Sequence, residues 1–192
     1  MTKVTGAAIV LKYKEYFVFE IQKKHKWITF DGNKVKLGIS CIGGKVEGNE
    51  KPLETLHREA KEEISVDVSI EPIDKPFIVN PGYDVEWLDS NENENAFFYW
   101  YGYKGYRICT YYGQALQHPK PKDLAGVLLI DFETLVKAFR NNATVGELAK
   151  MGAVIIEKDN IPRDAYIFPV NTVEVLCKLY ENGEKLIHWA LK

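Results

Sequence analysis

The segment from Pro52 to Ile64, PLETLHREAKEEI, most constrains the fold, because its charged and apolar residues separate at helical spacing. Proline suits a first helical turn and most of the following residues favour helix, so we predict a helix over residues 52–64. With about 100° between successive residues, an arc of about 80° carries four residues that would dock on a core: Leu53, Leu56, Ala60 and Ile64. An adjacent arc of about 100° carries three glutamates: Glu59, Glu62 and Glu63.

The cost of crowding three carboxylates depends on their surroundings. On a solvated helix, like charges at i, i+4 cost a few tenths of a kcal/mol, so an acidic surface face is one interpretation. In a cleft, two carboxylates about 6 Å apart repel by roughly 3 kcal/mol at an effective dielectric constant near 20, and the cluster then needs a cation. Oxygen ligands without histidine or cysteine favour magnesium or manganese over zinc. Arg58 lies four residues before Glu62 and is expected to pair with it.

A glycine-bearing turn, GGKVEGNE, precedes the helix. Together, turn and helix are similar to the Nudix box, Gly-x5-Glu-x7-Arg-Glu-U-x-Glu-Glu-x-Gly-U, in which U is aliphatic. Chance would match its Gly, Arg and four Glu about once in several million starting points. The sequence departs from the box at Ser65, which replaces a glycine, and Ala60 is a small aliphatic residue. A positive φ at residue 65 would cost serine about 1 kcal/mol. Eight residues fall on the pattern: Gly44, Glu50, Arg58, Glu59, Ala60, Glu62, Glu63 and Val66.

The resemblance implies a Nudix hydrolase, an α/β protein with an α/β/α sandwich around a central mixed β-sheet. For this chain it implies a single domain over residues 1–192, with a core of about 1–140 and an additional C-terminal helical segment within about 141–192. The implied reaction is divalent-metal-dependent hydrolysis of the pyrophosphate bond in a nucleoside diphosphate linked to another moiety. Mg²⁺ or Mn²⁺ suits it as cofactor, since a divalent ion polarises a phosphoryl oxygen and lowers the pKa of bound water.

Roles follow residue by residue from the same resemblance. Glu59 is a candidate catalytic base, and Glu50 with Arg58 resembles the pair that braces the helix against the preceding loop. The implied metal ligands are three side chains and one backbone carbonyl: Glu59, Glu62, Glu63 and Gly44.

The segment NPGYDVEW bears on the substrate. Nudix members that act on ADP-ribose commonly have a proline about 16 residues past the box glycine, and Pro81 lies at that offset from Ser65. Dinucleoside polyphosphate hydrolases have a tyrosine at about 16 to 18 residues, and Tyr83 lies there. We favour ADP-ribose or a sugar nucleotide, with dinucleoside polyphosphates and nucleoside triphosphates as alternatives. A turn proline without a substrate role is the simpler interpretation of Pro81 alone.

Three further residues are weaker candidates. Glu86 could reach over the metal as general base, although a solvated loop charge is the commoner role for such a residue. Trp27 and Trp87 are candidates to stack on a nucleobase together with Tyr83, although aromatic residues in so aromatic a chain usually belong to the core.

Other elements follow from periodicity and turn chemistry. Two apolar runs, KVTGAAIVL and EYFVFEI, predict a hairpin, and Asp31 with Gly32 predicts a second turn. Further strands are predicted at VDVSIEPI, NAFFYWYGY and GVLLI. Residues 80–95 between two of these read as a long loop or flap. Helices are predicted at DFETLVKAF, with Asp131 as N-cap, and at NTVEVLCKLY, ending near Asn182 and Gly183.

Composition limits the classes of partner. A formal net charge of −2 gives no overall attraction to nucleic acid or membranes, so we expect a small nucleotide substrate, no nucleic acid partner and no membrane. Without a membrane span or leader pattern, the chain reads as cytoplasmic. Three widely spaced cysteines predict buried, reduced thiols. ADP-ribose relatives are often dimers, which makes a homodimer an expectation of the resemblance. A non-catalytic, nucleotide-sensing regulator with a Nudix-like fold is the alternative from another functional class.

Overall fold

A computed structural model describes residues 3–102, 105–183 and 187 of the 192-residue chain. Within these residues, thirteen strands form one hydrogen-bonded sheet network. Their bounds are β1 Gly6–Tyr13, β2 Tyr16–Ile21, β3 Ile28–Phe30, β4 Lys34–Ser40, β5 Ile42–Lys45, β6 Val68–Ile70, β7 Phe77–Val79, β8 Val85–Trp87, β9 Phe98–Tyr101, β10 Arg107–Ala115, β11 Gly126–Ile130, β12 Val154–Glu157 and β13 Tyr166–Pro169.

The sheet is mixed, as predicted. Its longest path runs β12-β11-β2-β1-β10-β9-β7-β8. Beside this path, β4 pairs with β2, β5 with β1 and β6 with β10, and β3 and β13 both pair with β4. β1 pairs in parallel with β10, β7 with β9, and β13 with β4, while the remaining pairs are antiparallel. β1 therefore lies at the centre, and on its other side it carries β5, the strand that leads into the box.

Helices cover both faces of this sheet, which confirms the predicted three-layer α/β/α architecture. On one face lies α1 (Pro52–Ile64), whose buried residues pack with those of β1 and β10 in one hydrophobic cluster. On the other lie α2 (Phe132–Arg140), α3 (Val145–Lys150) and α4 (Thr172–Glu181), which share a second, larger cluster.

The helix ends follow the predicted chemistry. α1 begins at Pro52 and ends before Ser65, whose φ of 59° and ψ of 35° place it in the left-handed region. That is the conformation for which glycine is preferred, so serine at this position carries backbone strain. Asp131 caps α2 as predicted, since its side chain accepts a hydrogen bond of 2.9 Å from the backbone N–H of Thr134.

Residues 80–95 differ in part from the loop or flap predicted by the sequence. The three-residue strand β8 pairs antiparallel with β7, and Tyr83 turns the hairpin with a positive φ. Further along, Glu92 forms an ion pair with Arg107 at 3.0 Å, and the hydroxyl of Tyr99 accepts hydrogen bonds from Asn93. These contacts tie the second half of the segment to the sheet.

The C-terminal segment joins the sheet as well as supplying helices. β12 pairs with β11 and β13 with β4, so residues beyond 140 extend the sheet on two sides. α4 ends at Glu181, followed by Asn182 and Gly183 as predicted. All three cysteines are buried and free. None of the helices in the described part of the chain is long and apolar enough to cross a membrane.

Candidate active site beside the box helix

A cavity of about 650 Å³ opens between the box and the C-terminal segment. β1, β2 and β4 form its floor, the box residues before α1 form one wall, and the β7–β8 turn with the start of α4 forms another. The lining includes two carboxylates at the box end and aromatic side chains at the other end. The lining includes Glu20, Gly43, Gly44, Glu63, Pro81, Tyr83, Trp100 and Glu174.

Glu50 and Arg58 form the brace that the box predicts. The guanidinium donates two hydrogen bonds to the Glu50 carboxylate, Nε at 2.9 Å and Nη2 at 3.1 Å. The hydroxyl of Thr55 donates a third, at 2.8 Å. These hydrogen bonds, first of all those from Arg58, lower the pKa of Glu50 to about 2. The loop and α1 are thereby held in one geometry, since a bidentate Arg–carboxylate pair fixes orientation as well as distance.

Arg58 also contacts two of the predicted metal ligands. Its Nη1 lies 2.8 Å from Glu59 Oε1 and 3.1 Å from Glu62 Oε2, the second contact being the predicted i, i+4 pair. Glu62 remains half exposed, whereas the Glu59 side chain is only 15 % exposed. Arg58 thus gathers three carboxylates, and their mutual repulsion is offset by its single positive charge.

Glu63 points into the protein from the same helix and is 8 % exposed. Its Oε2 accepts a hydrogen bond of 3.3 Å from the backbone N–H of Gly43. Burial raises the pKa of Glu63 to about 9, and the nearby Glu20 and Glu59 carboxylates raise it as well. A buried carboxylate beside other carboxylates favours a bound proton or a cation.

Gly44 lies directly under the carboxylate of Glu59. A Cβ at this position would stand 2.1 Å from Glu59 Oε1, so any larger residue would force the Glu59 carboxylate to move. The same strand pairs with β1, where Gly44 is opposite Ala7. Gly44, which lines the cavity, therefore lies in contact with the carboxylate of Glu59.

The donor set suits a hard divalent ion. No three His, Cys, Asp or Glu side chains within the described ranges form a group ready to hold a metal ion. Glu59 and Glu62 are both turned toward Arg58. Yet Glu63 is buried among carboxylates, and Glu20 has a buried Oε1 without a hydrogen-bond partner in the described structure. Such oxygens, without histidine or cysteine nearby, are the ligand type that Mg²⁺ and Mn²⁺ prefer.

Both competing substrate markers line the cavity. Pro81 and Tyr83 lie at the β7–β8 turn, and the Tyr83 hydroxyl donates a hydrogen bond of 3.2 Å to Glu174 on α4. On β9, the indole N–H of Trp100 donates a hydrogen bond of 3.3 Å to the hydroxyl of Thr172, at the start of α4. The start of α4 is thus fastened to the sheet at the point where it closes the cavity.

Seven of the predicted site residues do not line this cavity: Glu50, Arg58, Glu59 and Glu62 of the box, and Trp27, Glu86 and Trp87 outside it. The four box residues lie next to the lining residues Gly44, Lys45 and Glu63, whereas the other three lie elsewhere. Trp27 donates its indole N–H to the backbone oxygen of Gln22 at 2.7 Å and packs against the larger core cluster. Trp87 is half exposed and packs its ring on Phe77, with centroids 5.4 Å apart. Glu86 is exposed on β8, opposite Ile78. None of these three side chains is brought to the box carboxylates.

Sequence reasoning missed Glu20 and Glu174. Glu20 sits inside the apolar run YFVFEI, and a charged residue in a buried strand is the signal that would have singled it out. Glu174 carries no such signal, because its position at the cavity results from the pairing of β13 with β4.

Comparisons with known proteins give fold-level similarity only. No family model matches the sequence, and no curated protein matches it significantly. A Nudix-family hydrolase from Clostridium perfringens is 16 % identical, with 68 % of this chain and 83 % of that chain covered at a TM-score of 0.46. DR0079 from Deinococcus radiodurans is 18 % identical, with 74 % of this chain and 75 % of that chain covered, at a TM-score of 0.46. A MutT protein from Methanosarcina mazei Go1 is 12 % identical, with 70 % of this chain and 80 % of that chain covered, at a TM-score of 0.42.

Nudix and MutT hydrolases recur among the solved structures that resemble this chain. With identities below 25 % and TM-scores below 0.5, these similarities are too weak to assign a function. The functional assignment therefore depends on the box residues and on the cavity beside them.

Proposed function

We propose that this protein is a Nudix-type, divalent-metal-dependent hydrolase that cleaves the pyrophosphate bond of a nucleoside diphosphate linked to another moiety. The observation that carries the proposal is the position of the box: its helix places the buried Glu63 in the lining of a cavity of about 650 Å³, and Glu59 against Gly44, which lines the same cavity. An acidic helix face in solvent would have no such cavity and no buried carboxylate.

Glu59, Glu62, Glu63 and the Gly44 carbonyl are the proposed metal ligands. A bound divalent ion would supply charge neutralisation of the phosphates and a lowered pKa of water. Glu59 is the preferred base for the attacking water, because it lies against Gly44, a residue of the cavity lining, whereas Glu86 is exposed on β8. As the water oxygen bonds to phosphorus, its proton passes to Glu59 and the anhydride P–O bond breaks, releasing two phosphate-bearing products.

Arg58 and Glu50 act by positioning. Their ion pair holds the loop at the angle that brings Gly44 under Glu59, and Arg58 keeps Glu59 and Glu62 adjacent before substrate arrives. At the cavity rim, Lys26 and Lys45 add positive charge for the phosphates of an incoming nucleotide.

The proposed substrate is ADP-ribose or another nucleoside diphosphate sugar. Support comes from the far end of the cavity, where Pro81, Tyr83 and Trp100 offer apolar and aromatic surface. Glu174 adds a carboxylate there, which accepts hydrogen bonds from ribose hydroxyls or a nucleobase amino group and repels further phosphates. A group rich in hydroxyls fits this end better than the additional phosphates of a dinucleoside polyphosphate.

A substrate panel tests the proposal. Purified protein with Mg²⁺ or Mn²⁺ is offered ADP-ribose, sugar nucleotides, dinucleoside polyphosphates and nucleoside triphosphates, and released AMP or phosphate is measured. We expect metal-dependent release of AMP from ADP-ribose, lost by at least about a hundredfold in Glu63→Gln. Turnover that is unchanged in Glu63→Gln would contradict the ligand assignment. No turnover of any substrate, together with tight nucleotide binding, would favour the nucleotide-sensing regulator.

A further inference from the structure

Glu20, a residue of β2 outside the box, faces the same cavity as Glu63. We propose that Glu20 is a ligand of the divalent cation, so that the site is built from the sheet as well as from the box helix. The proposal rests on the proposed function, because it concerns the same cation.

Burial is the first observation. Glu20 is 4 % exposed, although the other residues of β2 are apolar or aromatic and its neighbours Phe19 and Ile21 belong to the larger hydrophobic cluster. A carboxylate in such a position is strongly disfavoured unless a cation or several hydrogen bonds compensate it.

The hydrogen bonding of Glu20 is incomplete. Oε2 accepts a hydrogen bond of 2.5 Å from the hydroxyl of Ser40, the residue opposite it on β4. Oε1 is buried and has no hydrogen-bond partner in the described structure. One oxygen is therefore oriented by Ser40, and the other is left as a free ligand atom. Ligating carboxylates are commonly oriented in this way by a second group.

The cation neighbours of Glu20 do not satisfy this oxygen. Lys23 forms its ion pair with Asp123 at 2.5 Å, and Lys26 is exposed at the cavity rim. Lys26 and Lys23 favour the ionised form of Glu20, but neither donates a hydrogen bond to Oε1. Glu59 disfavours that ionised form, and Glu20 in turn disfavours the ionised form of Glu63, so these carboxylates repel one another. A divalent ion between β2 and α1 would give Oε1 of Glu20 a partner and would also reduce the repulsion between the carboxylates.

Mn²⁺ binding to the metal-free protein, followed by the electron paramagnetic resonance signal of free Mn²⁺, tests the proposal. We expect Glu20→Gln, which keeps the shape and the Ser40 contact, to weaken Mn²⁺ affinity roughly tenfold or more. Glu15→Gln, an exposed glutamate in the turn between β1 and β2, is the matched control and should bind as the parent does. Equal affinity of Glu20→Gln and the parent would overturn the proposal.

Two further measurements separate the possible failures. Ser40→Ala leaves the Glu20 charge and removes its orientation, so a smaller loss of affinity is expected even if Glu20→Gln does not fold. If Glu63→Gln loses Mn²⁺ binding and turnover while Glu20→Gln keeps both, the proposed function stands and the role of Glu20 is refuted. If the parent protein neither binds Mn²⁺ nor hydrolyses any nucleotide, the proposed function fails and the role of Glu20 is refuted with it.

Discussion

At the scale of single residues, Ser65 replaces the glycine of the box, and its backbone adopts the left-handed conformation that glycine favours. Its φ of 59° is a conformation that L-residues adopt at a cost. Ser65→Gly should therefore raise the free energy of unfolding by about 0.5–1 kcal/mol, measured by urea denaturation. Ser65→Ala is the control, since it keeps a Cβ and should give no gain. Equal stability of all three proteins would show that residue 65 carries no strain.

Glu50 makes the stability depend on pH. Its pKa, about 2 in the folded protein against an ordinary value of 4.5, is lowered by the hydrogen bonds from Arg58 and Thr55. The ionised form is thus favoured by folding, so its contribution is fully present above about pH 4.5 and is lost as the pH falls toward 2. Glu50→Gln should lower the free energy of unfolding at pH 6 more than at pH 2.5. Glu47 is an exposed neighbour, so Glu47→Gln should leave the free energy of unfolding unchanged at both pH values. A stability difference for Glu50→Gln that is independent of pH would contradict this account.

Single residues were predictable where a local pattern specified them. The resemblance to the box implied the pair of Glu50 with Arg58, and the i, i+4 rule predicted Arg58 with Glu62. Both pairs lie within one loop and one helix. Glu20 and Glu63 come from elements 43 positions apart in the chain, and only the sheet brings them to one cavity. Their proximity could not be deduced from spacing.

At the scale of elements, the close approach of β5 to α1 connects the box to its chemistry. Gly44→Ala would place a Cβ 2.1 Å from Glu59 Oε1, so it should displace that carboxylate and lower turnover by at least about tenfold. Gly48→Ala is the comparison: it lies in the same loop with a φ of 52° and meets no atom within 4 Å. That variant should lose stability but keep its turnover. Full activity of Gly44→Ala would remove the steric argument.

Long elements with a strong pattern were predicted well. The helix over residues 52–64 was confirmed to the residue, and the hairpin of β1 and β2 lies where its two apolar runs were expected. The strands β7 and β8 are only three residues each and have no periodicity that could distinguish them from loop. They form because β7 adds to the edge of β9 and β8 adds to β7, which is a tertiary effect.

At the scale of the whole molecule, the C-terminal segment completes the cavity. β13 extends the sheet beside β4 and delivers α4, whose Thr172 and Glu174 hold Trp100 and Tyr83 at the far wall. Glu174→Gln should raise KM for ADP-ribose roughly three- to tenfold with little change in kcat, because it removes a hydrogen-bond acceptor far from the reacting bond. Glu133→Gln, on the exposed side of α2, is the matched control. An effect on kcat alone would contradict a role in binding the nucleoside or sugar.

The central claim is that the box carboxylates hold a divalent ion inside the cavity. The most direct measurement is anomalous diffraction at the manganese edge from crystals of the protein soaked in Mn²⁺. We predict an anomalous peak within coordination distance, about 2.0–2.4 Å, of a carboxylate oxygen of Glu63 and of at least one further oxygen from Glu59, Glu62, Glu20 or the Gly44 backbone. A peak confined to surface carboxylates, or no peak at the box with nucleotide present, would contradict it.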